Sequence, residues 1–127
     1  MQGLHLTADL HGCRCGDHWL TDAEGLADAC EARVRAAGLR VVGRLAHTFP
    51  AAHGPGGVTA ALLLAESHLC VHTWPERRAA TLDVYVCNFG ADHSAAAHTL
   101  LDGLVGLFDP EHTERHVLER GQGAPSG

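Results

Sequence analysis

The chain contains no lysine, and all nine of its basic residues are arginine. Enzymes that use pyridoxal phosphate on amino acids hold this cofactor on a lysine, so that class is excluded. Aromatic residues make up only 5% of the chain. The longest wholly apolar run, residues 60–65, is far shorter than the roughly 20 residues that a membrane-spanning helix needs. A protein of this composition that handles amino acids must obtain its electron sink without lysine.

Concentrated positive charge is also absent. The net charge is −6, and no run of arginines is longer than Arg77-Arg78, so neither a nucleic acid nor an anionic membrane is expected as a partner. The first residues lack the basic-then-apolar pattern of a secretory signal. The five cysteines, an odd number, are therefore expected to be free thiols in a reducing compartment. We expect a soluble, cytoplasmic protein.

With 127 residues the chain is long enough for one hydrophobic core, and residues 1–127 are expected to form a single domain. Apolar and polar residues alternate over residues 4–10, which predicts a half-buried strand. The pattern Thr21-Asp22-Ala23-Glu24 has the form of a capping box at the start of a helix, and Gly38 is suited to end that helix.

The elements predicted after this helix are strands at residues 39–49, 58–65, 80–87 and 116–118, with a second helix that Asp92 caps and Asp109-Pro110 ends. The strand at 58–65 is expected to continue, after a break at Ser67, into residues 69–73. This order predicts an α+β fold: a two-layer sandwich with two helices on one face of a mainly antiparallel sheet. The other face of the sheet would remain uncovered, so a homodimer is expected.

The most informative segment is residues 66–76, in which Ser67 stands between Glu66 and a histidine. If this segment forms a hairpin with residues 80–87, we expect Ser67 to lie opposite Cys87, with Cβ atoms about 5 Å apart. A buried cysteine that packs only as a small hydrophobic residue is the alternative. Ser67 and His72 are five residues apart, and a regular strand would point them to opposite faces. Their cooperation would require a kinked or bulged backbone near Ser67.

Residues 65–76 and 82–87 together are similar to the short prokaryotic S-adenosylmethionine decarboxylases, which are pyruvoyl enzymes of polyamine and spermidine synthesis. The specific feature is a Glu-Ser-His core with a histidine five residues and a cysteine twenty residues after the serine. Weaker matches extend over nearly the whole chain, at residues 8–13, 47–50, 57–59 and 119–121. The resemblance implies a lyase that acts on S-adenosylmethionine with neither pyridoxal phosphate nor a metal.

The resemblance also implies that the protein is made as a zymogen. The Ser67 hydroxyl would attack the carbonyl of Glu66, and the chain would separate into residues 1–66, the β chain, and residues 67–127, the α chain. Ser67 would become a covalent pyruvoyl group, whose keto carbon binds the amine of the substrate as a Schiff base.

Further roles are implied for residues that match the family pattern. Thr59 would stabilise the oxyanion during cleavage, and His72 would be the base that opens the ester. Cys87 would return a proton to the α-carbon of the substrate after carbon dioxide has left. The residues implied to bind substrate are Phe49, His68, Trp74 and Glu76.

The chain departs from the family pattern after Glu76, where Arg77-Arg78 replaces a usual aromatic-glycine-aromatic run. Either the arginines belong to a solvated turn, or the pocket has changed and a guanidinium group holds a carboxylate. The second interpretation leads to the same chemistry on a basic amino acid such as arginine or ornithine. A non-catalytic paralogue that never cleaves itself is a third hypothesis. Two pairs suggest metal ligands, but Cys13/Cys15 lacks the usual two-residue spacing and His112/His116 lacks a partner motif, so incidental roles are favoured.

Overall fold

The structure, a computed structural model, describes residues 2–88 and 90–121. Within these residues it contains six β-strands and three α-helices. The strands are β1 (Gly3–His11), β2 (Val41–Thr48), β3 (Val58–Leu64), β4 (Ser67–Trp74), β5 (Ala79–Cys87) and β6 (His112–Arg120). The helices are α1 (His18–Thr21), α2 (Ala23–Ala36) and α3 (Ser94–Phe108), and a 3₁₀ turn at Pro75–Arg77 separates β4 from β5.

The strands form one antiparallel sheet in the order β2-β3-β4-β5-β1-β6. Helix α2 packs on β2 and β3, and α3 packs on β1 and β5. The predicted two-layer α+β sandwich is therefore confirmed. No helix in the described part of the chain is both long and apolar enough to cross a membrane.

Alternation along the strands separates the two faces of the sheet. On β5, for example, Leu82 and Val84 are buried beneath the helices, whereas Asp83 and Tyr85 are partly exposed on the other side. We call these the helix face and the open face. The helix face and the apolar sides of α2 and α3 enclose a single core, whose largest fully buried side chains include Leu6, Leu26, Leu62, Leu82, Leu104 and Phe108.

The helix ends differ slightly from the prediction. The N-cap of α2 is Asp22, whose carboxylate accepts a hydrogen bond from the Gly25 N–H at 3.1 Å. The predicted cap residue, Thr21, instead ends α1 and donates its hydroxyl to the Asp17 carbonyl. Gly38 adopts a positive φ of 82° just after α2, as expected for a residue that ends a helix.

Two predictions about the central hairpins were wrong. Strand β4 does not continue β3, because the chain reverses in the two-residue turn at Ala65-Glu66 and Leu64 pairs with Ser67. The register between β4 and β5 also differs by one residue: His68 pairs with Tyr85, which leaves Ser67 beside Cys87 rather than opposite it. The reason is the even-numbered turn at residues 75–78, which ends in a left-handed Arg78.

The last strand is much longer than predicted. β6 runs from His112 to Arg120 and pairs with all of β1, yet every one of its residues is exposed. A strand that is exposed on both faces has no alternation of apolar and polar residues, so only its short apolar centre was predicted.

Candidate active site

Ser67 begins β4 immediately after a strained residue. Glu66 has a φ of 57°, a left-handed conformation that costs a residue with a side chain about 1–2 kcal/mol. The backbone distortion expected near Ser67 is therefore present, but it lies in the turn, and the pairing of β4 with β3 is regular. The Ser67 hydroxyl is partly exposed, and its oxygen accepts a hydrogen bond from the Cys87 backbone N–H at 3.2 Å.

Cys87 ends β5 and is nearly buried, with 8% of its surface exposed. Its contact with Ser67 is made by the backbone, since the two residues are not opposite each other in the sheet. We call Glu66, Ser67 and Cys87 the cleavage group.

Thr59 and His72 form a second group at the other end of the β3–β4 hairpin. They are a directly opposed pair on the open face, with Thr59 Oγ1 3.0 Å from His72 Nδ1. Both line a cleft of about 690 Å³ together with Phe49, Trp74 and Glu76. The structure thus brings five of the residues predicted from the sequence into one cavity, and we call them the cleft group.

The loop at residues 50–57 forms one wall of this cleft. Its end is held against β4, where a Cβ atom on Gly57 would overlap the Thr73 carbonyl oxygen. The Phe49 N–H donates to the Gly57 carbonyl at 2.8 Å and closes the loop at its base. Glycine is required at position 57 by this close approach.

The cleavage and cleft groups are well separated within one chain. Ser67 and His72 lie five residues apart on a regular strand, which corresponds to about 16 Å at the usual rise. They also point to opposite faces, as the spacing predicted, because Leu69 and Val71 alternate with exposed neighbours on the same strand. His72 therefore cannot reach Ser67 of its own chain.

A polar cluster on the open face had no local signal in the sequence. His5 Nε2 is 3.1 Å from Asp83 Oδ1, and the His68 ring is stacked on the Tyr85 ring with centroids 5.5 Å apart. The Arg120 guanidinium group lies over the Tyr85 ring of this cluster, 5.9 Å from the ring centroid. His68 and Tyr85 are an opposed pair of the β4–β5 hairpin, whereas His5 and Arg120 join them only through the pairing of β1 with β5 and β6, which is distant in sequence. His68, a predicted substrate contact, thus lies in this cluster rather than in the cleft.

The two arginines that depart from the family pattern are placed differently from each other. Arg78 donates hydrogen bonds to the carbonyls of Cys13 and Cys15 and forms an ion pair with Asp17. Arg77 is exposed at an adjacent open hollow. Neither is among the described residues that line the cleft. A solvated turn therefore describes Arg77 but is wrong for Arg78, which joins two loops.

Two thiols outside the lining of the cleft, those of Cys13 and Cys70, have a raised pKa. Burial, and then the neighbouring thiol of Cys15, raises the pKa of Cys13 to about 11. Burial also raises the pKa of Cys70, with a smaller contribution from the Asp83 carboxylate beside it. These cysteines lack the thiolate character of a reactive nucleophile.

Comparison with known proteins identifies the family of the chain. The family model described as S-adenosylmethionine decarboxylase matches residues 4–121. The chain is similar to the S-adenosylmethionine decarboxylase proenzymes of Brevibacillus brevis, with 37% identity over 95% of this chain and 84% of the relative, and of Archaeoglobus fulgidus, with 33% identity over 94% and 97%.

A solved structure gives the same result. The crystal structure of the adenosylmethionine decarboxylase from Aquifex aeolicus superimposes with a TM-score of 0.81 and 30% identity, covering 98% of this chain and 95% of that one. The fold, the match along nearly the whole length and the arrangement of the serine, histidine and cysteine lead to one conclusion. This chain belongs to the S-adenosylmethionine decarboxylase family.

Proposed function

We propose that this protein is a proenzyme that cleaves itself between Glu66 and Ser67 and then decarboxylates S-adenosylmethionine, as a step of spermidine synthesis. The observation that carries the proposal is the Ser67 hydroxyl, which directly follows the strained Glu66 and contacts Cys87. The relatives named as proenzymes support a function that begins with processing. The products of cleavage are residues 1–66 and residues 67–127.

Cleavage needs only groups of the chain itself and one water molecule. Ser67 Oγ forms a bond to the Glu66 carbonyl carbon, and the peptide C–N bond breaks as its nitrogen takes a proton, which leaves an ester. A base then removes the Ser67 α-proton and the Cβ–O bond breaks, which releases the Glu66 carboxylate. The dehydroalanine that remains takes a proton at Cβ and becomes an imine. Water hydrolyses this imine, so that ammonia leaves and residue 67 ends as a ketone. Relief of the left-handed strain at Glu66 favours the first step.

The residues around Ser67 suit a pyruvoyl group. Position 67 is partly exposed at the start of a strand, and no lysine is available in the chain to hold pyridoxal phosphate instead. The group would supply an electron sink when carbon dioxide leaves the substrate. Cys87, beside it and nearly buried, would donate the proton that replaces the lost carboxylate.

The separation of the two residue groups leads us to propose that each active site is shared by two chains. Large apolar side chains remain exposed on the open face, among them Leu45, Leu63 and Trp74 at 77%, 56% and 39%. Burial of such a surface against a second copy is favourable. With two antiparallel β4 strands facing each other about a twofold axis, the backbone at residues 66 and 67 of one chain meets the cleft group of the other, while the Ser67 side chain points to its own helix face. A homodimer would thus contain two composite sites.

The Thr59–His72 contact suits both roles proposed for these residues. If His72 donates its Nδ1–H to Thr59 Oγ1, the Nε2 lone pair is available to accept a proton from the partner subunit's chain. The Thr59 hydroxyl hydrogen is then also available, and it would donate to the oxyanion that forms during ester formation. One hydrogen bond of 3.0 Å therefore sets the tautomer for both steps.

The cleft suits the nucleoside part of S-adenosylmethionine. Phe49 and Trp74 provide aromatic surface on which an adenine can stack, and the Glu76 carboxylate can accept hydrogen bonds from ribose hydroxyls. The basic amino acid alternative depended on an arginine in the pocket, and both Arg77 and Arg78 lie outside the lining of this cleft. We therefore retain S-adenosylmethionine as the substrate.

Mixing two inactive variants tests the shared site. Ser67→Ala and His72→Ala are each expected to remain uncleaved when produced alone. When they are co-expressed in equal amounts, random pairing places about half of the His72→Ala chains beside a chain that supplies His72, and those chains are expected to cleave. No cleavage in the mixture, despite mixed dimers shown by differential tagging, would refute the shared site. Cleavage of His72→Ala alone would remove the proposed base.

A substrate assay separates the function from its alternative. Cleaved wild-type protein is expected to release carbon dioxide from carboxyl-labelled S-adenosylmethionine, and not from arginine or ornithine. Cys87→Ala is expected to be cleaved but to release far less. Release from arginine or ornithine alone would show that the substrate has been assigned incorrectly.

A further inference from the structure

Strand β6 forms an exposed edge of the sheet with no irregularity. All nine of its residues are exposed, and its pairing with β1 continues without a shift from Gly3 to His11. The opposite edge strand, β2, has an irregularity between Val41 and Gly43, a device by which natural sheets prevent edge-to-edge pairing. Within the described residues, β6 is therefore the edge at which another strand is most readily added.

The charges on β6 have an order that is complementary to itself. Glu114 and Arg120 lie on the open face, and Arg115 and Glu119 lie on the helix face. Two copies related by a twofold axis perpendicular to the sheet would add their β6 strands antiparallel, with opposed residues on the same face. If Val117 lies opposite the second copy's Val117, each glutamate lies opposite an arginine. All four charges are paired in this register, and each pair occurs twice.

Neighbouring registers lack this property. Centred on His116, the two strands would place Glu114 opposite Leu118 and Glu119 opposite Thr113. Centred on Leu118, they would place Glu119 opposite an apolar side chain. Centred on Arg115, they would place this arginine opposite the second copy's Arg115, and two like charges directly opposed are destabilising. Charges that served only to keep the edge solvated would have no reason to match in a single register.

We propose that two copies of this chain join edge to edge through β6, in the register centred on Val117, so that their six-stranded sheets form one continuous sheet. The contact covers Val117 and Leu118, which are 58% and 51% exposed in the single chain. Arg115 already contacts Asp102 at 2.6 Å, and its guanidinium group has further donors for the second copy's Glu119. The helices of both copies lie on the same side, so both open faces stay available for the face-to-face dimer.

Charge reversal tests this interface through the mass of the assembly in solution. In sedimentation equilibrium, wild-type protein is expected to have twice the mass of Glu119→Arg, which places arginine opposite arginine. The double variant Arg115→Glu/Glu119→Arg restores opposite charges and is expected to return to the wild-type mass. Asp102→Asn removes only the contact of Arg115 within its own chain and is expected to keep the wild-type mass. Decarboxylase activity serves as a separate readout, because β6 lies outside both active-site groups.

Equal masses of wild type and Glu119→Arg at every protein concentration would overturn the proposal, and so would failure of the double variant to restore the mass. Neither result bears on the proposed function.

Cross-linking tests the register independently. Directly opposed Cβ atoms lie about 5 Å apart, so Val117→Cys is expected to form a disulfide between two α chains when oxidised glutathione is added. Leu118→Cys, which faces the second copy's His116, is the control and is expected to remain uncrosslinked. Equal cross-linking of the two variants, or none in Val117→Cys, would show that the register is wrong.

Discussion

Among single residues, Thr73 has a structural role next to the catalytic role proposed for its neighbour His72. It is only 3% exposed, on the helix face of β4. Its hydroxyl donates to the Leu20 carbonyl at 2.7 Å and accepts from the Val58 N–H at 2.8 Å. The Thr73 hydroxyl therefore joins α1 and the start of β3 to β4, the strand that carries His72 and Trp74 of the cleft group.

Thr73→Val keeps the shape of this side chain but removes both hydrogen bonds. Two buried backbone groups then lose a partner at about 1–3 kcal/mol each, so we expect the free energy of unfolding in urea to fall by about 2–6 kcal/mol. Thr48→Val, at an exposed position on β2, is the control and should change it by less than about 0.5 kcal/mol. Equal stability of the two variants would show that the Thr73 hydroxyl is not needed.

The residues of the candidate site could be identified from the sequence, but their grouping could not. The resemblance of residues 65–76 and 82–87 to the family selected Ser67, His72 and Cys87, and their spacing predicted that a regular strand would point the first two to opposite faces. The sequence did not reveal that Ser67 and His72 remain separated in the fold, because this depends on a two-residue turn at Ala65-Glu66 in place of a continuous strand. Spacing along one chain also carries no information about what a second copy contributes.

Among the elements, the turn between β4 and β5 is joined to the loop after β1 by a single side chain. Arg78 contacts three residues of that loop, and the Cys13 N–H in turn donates to the Arg78 carbonyl at 2.8 Å. Its neighbour Arg77 is exposed and makes no such link among the described residues. The two arginines therefore form a matched pair for an experiment.

Arg78→Ala is expected to lower the free energy of unfolding by about 1–2 kcal/mol, since hydrogen bonds from a charged group are lost at a partly exposed site. Arg77→Ala is expected to leave stability and the KM for S-adenosylmethionine unchanged. Thermal unfolding and steady-state kinetics measure both effects. A large rise in KM for Arg77→Ala alone would return this arginine to the substrate pocket.

Local patterns predicted those elements whose apolar residues are periodic. β1, the end of α2 before Gly38 and the end of α3 at Asp109 agree with the prediction because each depends on neighbouring residues. β6 was underpredicted because it is exposed on both faces. The pairing of β1 with β5, and hence the contact of His5 with Asp83, joins distant segments and has no local signature.

For the whole molecule, the buried thiols predict how stability depends on pH. Cys30 is fully buried in α2, and burial raises its pKa from 9.0 to about 12. The folded state then holds a proton that the unfolded state loses, so this contribution is complete below pH 9 and is lost as the pH rises towards 12. Cys13 acts in the same direction.

We therefore expect the free energy of unfolding to decrease from pH 9 to pH 11, and to decrease less in Cys30→Ala. The variant loses packing at every pH, so the comparison is the difference from wild type, which should narrow as the pH rises. Urea unfolding at pH 7, 9 and 11 measures it. A difference that stays constant over this range would mean that the Cys30 thiol does not titrate differently in the two states.

The proposed function depends on the conversion of Ser67 into a pyruvoyl group by the chain itself. Intact mass spectrometry of freshly purified protein measures this most directly, with Ser67→Ala as the control. The expected result is two polypeptides for the wild type, residues 1–66 and residues 67–127, the second beginning with a pyruvoyl group, and one uncut chain for the variant. A wild-type protein that remains a single chain of 127 residues with an intact serine at position 67 would contradict the account.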